Sequence, residues 1–303
     1  MLTRDTASFL ALARDCAADF GSATARAAFM VAPDGFGRAE ESASDNRYMA
    51  EAEGFDAALA SAQHRGLQRA LADVRPTLCF PGDPGAPDAL FPNNAFATVH
   101  GALVVGRMRH PVRRREAARA DIRGFFRDIL GYAERDLSQQ PHPCELTGAL
   151  GVDRARGIGL CGLSERCDEE GARLMHEALG LRATLIFDLA PGEYHTNVVL
   201  AVLAGRAAIL CPAGIADPGV VGTIAALYAP HAVLLSAEEQ ASFAGNAISL
   251  SSDAVWMSAR AARALAPDNR AALAGAGFAV RSVPLDAIEA AGGSLRCCVA
   301  EIY

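Results

Sequence analysis

Short apolar runs, each broken by a polar or glycine-containing turn, recur along the chain and set its plan. "NNAFATVHGALVVG" is an apolar run, a His-Gly turn and a second run. "ELTGALGVDRARGIGLCGL" repeats the scheme around Asp-Arg-Ala-Arg-Gly, "HTNVVLAVLAGRAAILC" around Ala-Gly-Arg, and "NAISLSSDAVWMS" around Ser-Ser-Asp. "CCVAEIY" begins a fifth run of the same kind. Such pairs predict β-hairpins. Each opens on a polar or reactive residue: Asn94, Glu145, His195, Asn246 and Cys297, at intervals of 51, 50, 51 and 51 residues. Four near-equal steps in succession mark an internal repeat.

Between the hairpins lie alanine-rich stretches, "EEGARLMHEALG", "PGVVGTIAALYA" and "SARAARALAPDNRAALAGAG", which predict helices. Some are followed by another apolar run, "ATLIFDLA" or "HAVLLS". The module is therefore strand–hairpin–helix, and its helices exclude the all-β kelch propeller of similar period. A module that always presents a polar residue at the same strand entrance predicts radial stacking around a common centre. The expected fold is α/β, a five-bladed pseudo-symmetric propeller. The N-terminal "RAAFMVAP" would supply the strand that completes the last module. Residues 1–303 are expected to form a single domain, with the amphipathic start "MLTRDTASFLALARDCAADF" as a helical appendage over 1–26.

Composition narrows the partners. The chain is 51% hydrophobic and 21% charged, an ordinary soluble globular balance. A net charge of -7 argues against nucleic acid or an anionic membrane as partner. No apolar run approaches the roughly 18 residues of a membrane span, and no secretory signal is visible, so a cytoplasmic location is expected. The local exception is "RMRHPVRRREAARADIR" with its seven arginines, read either as a solvated helix start or as part of a site. Eight cysteines (16, 79, 144, 161, 167, 211, 297, 298) form no CxxC pair and are expected as reduced thiols. His64, His100, His110, His142, His176 and His231 show no ligand spacing, so neither a metal nor an organic cofactor is called for. A small-molecule partner fits best, and association into a homo-oligomer is left open.

If the five modules face one axis, Asn94, Glu145, His195, Asn246 and Cys297 converge. A cysteine, a histidine and a glutamate together supply a nucleophile, a general acid/base and an orienting carboxylate. Read as strand residues, Cys297 and Cys298 face opposite sides, so only one thiol enters the pocket, and Arg296 points away from Cys297. On period alone a slip of one residue exchanges the two cysteines. Asn246 has a turn role or a pocket role.

"FPNNAFATVHGALVVGRMRHPVRRRE", "CELTGALGVDR", "CGLSERCD", "YHTNVVLAV" and "GGSLRC" together resemble the guanidine-modifying (pentein) superfamily. That group holds arginine deiminases, dimethylarginine dimethylaminohydrolases, amidinotransferases and the citrulline-utilisation hydrolases. The last is the nearest-looking branch, through F-P-N-N, Y-H-T-N and G-G-S-x-R-C. The similarity covers roughly residues 27–303 and implies a five-module α/β propeller. It also implies Cys297 as nucleophile, His195 as general acid/base and Glu145 as the carboxylate that positions the substrate nitrogens and the histidine. It implies Arg113 in "VRRRE" (or the adjacent Arg114) and Arg166 in "LSERC" as forks for a substrate carboxylate. Asn93, Asn94 and Asn197 fall among the implied substrate contacts.

Deiminases carry aspartate where this chain has Asn94 and Asn197. Asparagine has no charge but offers a donor and an acceptor, which suits a neutral ureido group better than a cation. Ala95 departs from the tryptophan usual in the nearest branch. The reading is thus a cysteine-dependent hydrolase that attacks the ureido or guanidino carbon, with citrulline converted to ornithine, ammonia and carbon dioxide. The alternatives are an arginine or methylarginine dihydrolase or deiminase, an amidinotransferase, and a non-catalytic binder, against which the intact Cys/His/Glu set speaks.

Overall fold

A computed structural model describes residues 1–50 and 56–303 of the chain. Its strands fall into five separate sheets. One holds Phe96–Val99, Ala102–Val105 and Ala133–Asp136. A second holds Leu150–Asp153, Ile158–Leu163 and Ala183–Asp188, and a third Leu200–Leu203, Ala207–Leu210 and Ala232–Leu234. In each, the first two strands pair antiparallel across a tight turn and the third adds parallel to the second. A parallel neighbour needs a long crossover, and the helical segments between the second and third strands provide it.

The other two sheets vary the plan. Ala254–Ser258 and Ala279–Val283 pair in parallel, while the apolar run after Asn246 makes only an isolated bridge, Ile248 to Trp256, in place of a first strand. Ala300–Ile302 pairs antiparallel with Ala27–Val31, Ala300 opposite Phe29 and Ile302 opposite Ala27. Thr77–Phe80 then adds parallel to Ala27–Val31, so the last strand of the chain shares a sheet with two strands from its first 80 residues.

Local chemistry explains the crossovers. Helix Glu169–Leu179 begins where the Asp168 carboxylate accepts from the Gly171 amide at 2.7 Å, carries Glu169 and Glu170 in its first turn, and stops at Gly180 with φ +66°. Ser236 and Glu239 form a reciprocal capping box at the start of Ala237–Ala241. The long alanine-rich stretch is two helices, Ala259–Ala264 and Pro267–Gly275, because Pro267 ends one and starts the next. The N-terminal expectation is corrected: the helix spans only Thr6–Asp15, and Leu2–Thr3 adds as a strand parallel to Ala183–Asp188.

A second correction bears on the site. Asn94, Glu145, His195 and Cys297 are not the first residues of strands. Asn94 ends the 3₁₀ turn Pro92–Asn94, Glu145 and His195 are the N-cap residues of Leu146–Ala149 and Thr196–Val199, and Cys297 lies in Leu295–Cys298. Four of the five repeats therefore enter their next strand through a short helical turn that carries the polar residue, while Asn246 lies outside any helix. Strand alternation does not apply to the cysteine doublet.

Phe29 anchors one core, with its ring centroid 5.6 Å from Phe80, 6.2 Å from Phe96 and 5.5 Å from Phe126. It is fully buried on the strand that pairs with the last strand of the chain. Phe29→Ala is expected to cost about 3–5 kcal/mol, since removing a large buried ring leaves a cavity that the close-packed neighbours cannot fill. Urea unfolding should show the lower midpoint without a large change in slope.

Candidate active site

The turns that precede the hairpins are tied to one another in chain order. Thr147 donates its hydroxyl to the Asn93 carbonyl at 3.0 Å, and Thr196 donates to the Ala149 carbonyl at 2.6 Å. The Asn246 amide donates to the Asn197 carbonyl at 2.8 Å, and its oxygen accepts from the Arg296 amide at 2.9 Å. Each turn thus holds the next through a small polar side chain, and the period-50 residues are brought together at their meeting points.

Glu145 is completely buried. Its Oε2 accepts from His195 Nε2 at 2.8 Å, from Arg166 Nη1 at 3.3 Å and from Arg113 Nη1 at 3.4 Å, while Oε1 accepts from the Arg109 amide at 3.0 Å. Burial pushes this carboxyl up, but Arg166, the His195 hydrogen bond and Arg113 outweigh it and hold Glu145 well below the usual carboxylate range. The next residue, Leu146, has φ +26°, a left-handed value that side chains rarely adopt, so the backbone is strained where it presents Glu145. Gly148 lies between His195 and Asn94. A Cβ there would sit 2.9 Å from the imidazole and 2.5 Å from the carboxamide, so only glycine lets the two approach.

With Nε2 turned to Glu145, the other ring nitrogen of His195, Nδ1, is buried and without a partner. Burial lowers the His195 pKa, against the pull of Glu145. Cys297 Sγ accepts from Asn246 Nδ2 at 3.3 Å and lies 3.8 Å from Asn197 Oδ1. Burial raises its thiol pKa above the ordinary value. Burial thus acts against the charged form of both groups. Cys298 turns its thiol to the Ser294 carbonyl at 3.5 Å, and the Arg296 guanidinium turns to Glu301 at 2.9 Å, so neither side chain meets Asn246.

A narrow cavity of about 20 Å³ is lined by Cys297, Asn94, Asp88, Arg113, Arg166 and Tyr194, among others. Of the arginine run, Arg113 is buried and Arg114 exposed. The Arg113 fork grips Glu116 with two 2.8 Å bonds. The Asn94 carboxamide, oriented by its network, accepts from Arg113 at 3.1 and 3.3 Å and donates to Asn93 at 3.1 Å. Asn93 is fully buried, bonded to Thr147, and does not line the cavity. Asn197 has an unpartnered Nδ2.

Sequence reasoning passed over Tyr194, Asp88 and Asp45. The Tyr194 ring packs 4.6 Å from that of His195, centroid to centroid, and its hydroxyl donates to the Gly292 carbonyl at 2.6 Å. Asp88 is buried with one carboxylate oxygen unpartnered. Tyr194 and Asp88 stand in or near the quoted "YHTN" and "FPNN" segments, whereas Asp45 lies in no recognisable motif. Among the described residues, no three His, Cys, Asp or Glu side chains converge as metal ligands, and no helix is long and apolar enough to cross a membrane.

A family model described as N,N dimethylarginine dimethylhydrolase, eukaryotic, matches residues 32–303. The chain belongs to that family, within the guanidine-modifying pentein superfamily. Among solved structures, it is similar to the substrate-bound N-terminal domain of ArgZ, an arginine dihydrolase from the ornithine–ammonia cycle in cyanobacteria. The two are 21% identical with a TM-score of 0.79, over 91% of this chain and 97% of that one. Unliganded AgrE is 22% identical with a TM-score of 0.77, over 91% of this chain and 39% of that one. A dimethylarginine dimethylaminohydrolase adduct with S-methyl-L-thiocitrulline is 19% identical with a TM-score of 0.69, over 91% and 99%. These likenesses establish the mixed α/β fold. No curated protein sequence matches the chain.

Because burial raises the Cys297 thiol pKa, its alkylation by iodoacetamide should be slow at pH 7 and climb past the ordinary thiol range of about 8.5. Peptide mass mapping resolves it from the other thiols. A rate that levels off below pH 7 would mean a preformed thiolate.

Proposed function

We propose that this chain is a cysteine-dependent hydrolase of arginine-type guanidino C–N bonds, acting through a covalent S-linked intermediate. Residues 1–303 form one domain in this reading, the five sheets being the blades of an α/β propeller around the site. The observation that carries it is the cavity Cys297 shares with Asn94, Asp88 and Arg166, beside the buried His195–Glu145 pair.

The resting thiol is activated by the substrate itself, since a guanidinium cation beside Cys297 favours the thiolate. The proton goes to His195, whose imidazolium Glu145 stabilises. Sγ attacks the central carbon and a C–S bond forms. As the C–N bond breaks, the leaving nitrogen takes the proton from His195. Water then gives a proton to the neutral imidazole and attacks the same carbon, and the C–S bond breaks to return the thiol. The unpartnered Nδ2 of Asn197, beside Cys297, is a donor for the oxygen that this water brings. Arg166 receives the substrate carboxylate, and the unpartnered Asp88 oxygen suits its ammonium.

The Asn94 oxygen is already held by Arg113, so this asparagine no longer argues for a neutral substrate. Carboxylates on or beside the cavity (Asp88, Glu145, Glu116) outnumber Arg113 and Arg166, although burial lifts the Glu116 carboxyl to about 7. That balance suits a cation. Citrulline is the second reading, favoured by the free Asn197 donor, which would meet a ureido oxygen. The two join if arginine is hydrolysed twice, to ornithine, two ammonia and carbon dioxide.

Ammonia and ornithine release from L-arginine, methylated arginines and L-citrulline tests the proposal. An amidinotransferase instead requires an amine acceptor and releases no ammonia, and a binder turns over none of them. Cys297→Ser should lower kcat at least about a thousandfold and abolish the covalent adduct seen by intact-mass spectrometry. A wild-type rate from that variant sinks the mechanism.

A further inference from the structure

The Arg166 guanidinium is 1% exposed, and all three of its nitrogens are in use. Nη1 faces Glu145. Nε and Nη2 form a two-pronged grip on Asp45, at 2.7 and 2.6 Å, and Nη2 also donates to the Ser42 carbonyl at 3.0 Å. Asp45 additionally meets His110 Nε2 at 3.2 Å. It lies between the short helices Glu40–Ala43 and Arg47–Ala50. That strap reaches the cavity rim at several points. Ser42 donates to Asp88 at 2.5 Å, Asn46 to the Gly292 carbonyl at 3.2 Å, and the Tyr48 hydroxyl to Glu193 at 3.0 Å. Ser42, Asn46 and Met49 line the same cavity as Cys297.

We propose that Asp45 is a specificity-determining residue, an internal carboxylate that holds the Arg166 fork until a substrate carboxylate takes its place. The proposal rests on the reading above, in which Arg166 receives the substrate carboxylate. A planar guanidinium fork matches one carboxylate bidentately, so two cannot occupy the Nε–Nη2 edge together. Exchange of one carboxylate for another leaves the charge beside Glu145 unchanged and every buried N–H partnered. A guanidine without a carboxylate makes no such exchange and leaves Asp45 on the fork, so its binding does not depend on Asp45. Asp45 therefore weakens the apparent binding of carboxylate-bearing substrates alone, by the fraction of molecules whose fork is open.

Kinetics of Asp45→Asn with L-arginine, L-citrulline and agmatine, the decarboxylated form of arginine, test this. For whichever amino acid is turned over, KM should fall roughly five- to tenfold with kcat within about twofold. The KM of agmatine should not move. Asp45→Glu, which keeps the charge, should restore the wild-type KM. A higher or unchanged KM for the amino acids in Asp45→Asn overturns the proposal, as does an equal shift for agmatine. Calorimetric binding of L-arginine to the wild type and Asp45→Asn separates the two claims. Tighter binding by the variant in a protein that turns over no substrate would retain the Asp45 assignment and discard the hydrolase. Equal or weaker binding discards the Asp45 assignment even in an active enzyme.

Discussion

The Glu145 carboxylate has no contact with water, yet it stays ionised because Arg113, Arg166 and His195 surround it. A buried anion is tolerable only when paired and fully hydrogen-bonded, and the same holds for the two buried arginines. The cluster is mutually dependent: the arginines keep Glu145 charged, Glu145 sets the tautomer and orientation of His195, and Arg113 orients Asn94. Glu116 takes the remaining fork of Arg113 and Asp45 that of Arg166. Charge pairing at one point thus fixes side chains from separate modules.

The backbone serves the same end. The strained Leu146 and the side-chain-free Gly148 bracket a single helical turn, which lets Glu145, His195 and Asn94 pack closely. Threonine and asparagine side chains pass the constraint from turn to turn as far as Cys297. Preorganisation of this kind costs no reordering during chemistry. Burial is the largest influence on both Cys297 and His195, and in each it opposes the charged form.

Much of the architecture was readable before any coordinates. Apolar runs around turns foretold three hairpins, though "NAISLSSDAVWMS" closes only a single bridge, and "RAAFMVAP" was the strand that pairs with the chain's last residues. The 50-residue step picked out positions that do share hydrogen bonds, Glu145 with His195 and Asn246 with Cys297. The pattern misled at the junctions. A single turn of 3₁₀ or α-helix is too short for hydrophobic periodicity to register, so the residues before the strands read as strand. The N-terminal helix was overextended because "LT" pairs with a strand some 180 residues away, a contact no local propensity carries.

The sequence by itself determined the repeat, the α/β module and the residue types available at each step, because spacing and alternation are local properties of a chain. Tertiary structure alone decided which groups meet. It turned Cys297 rather than Cys298 towards Asn246, spent the Arg113 fork on Glu116, and left Asp88 and Asn197 each with a free polar atom. Those outcomes follow from burial and partner exchange among distant residues, where each buried donor or charge takes whatever partner the packing brings within reach.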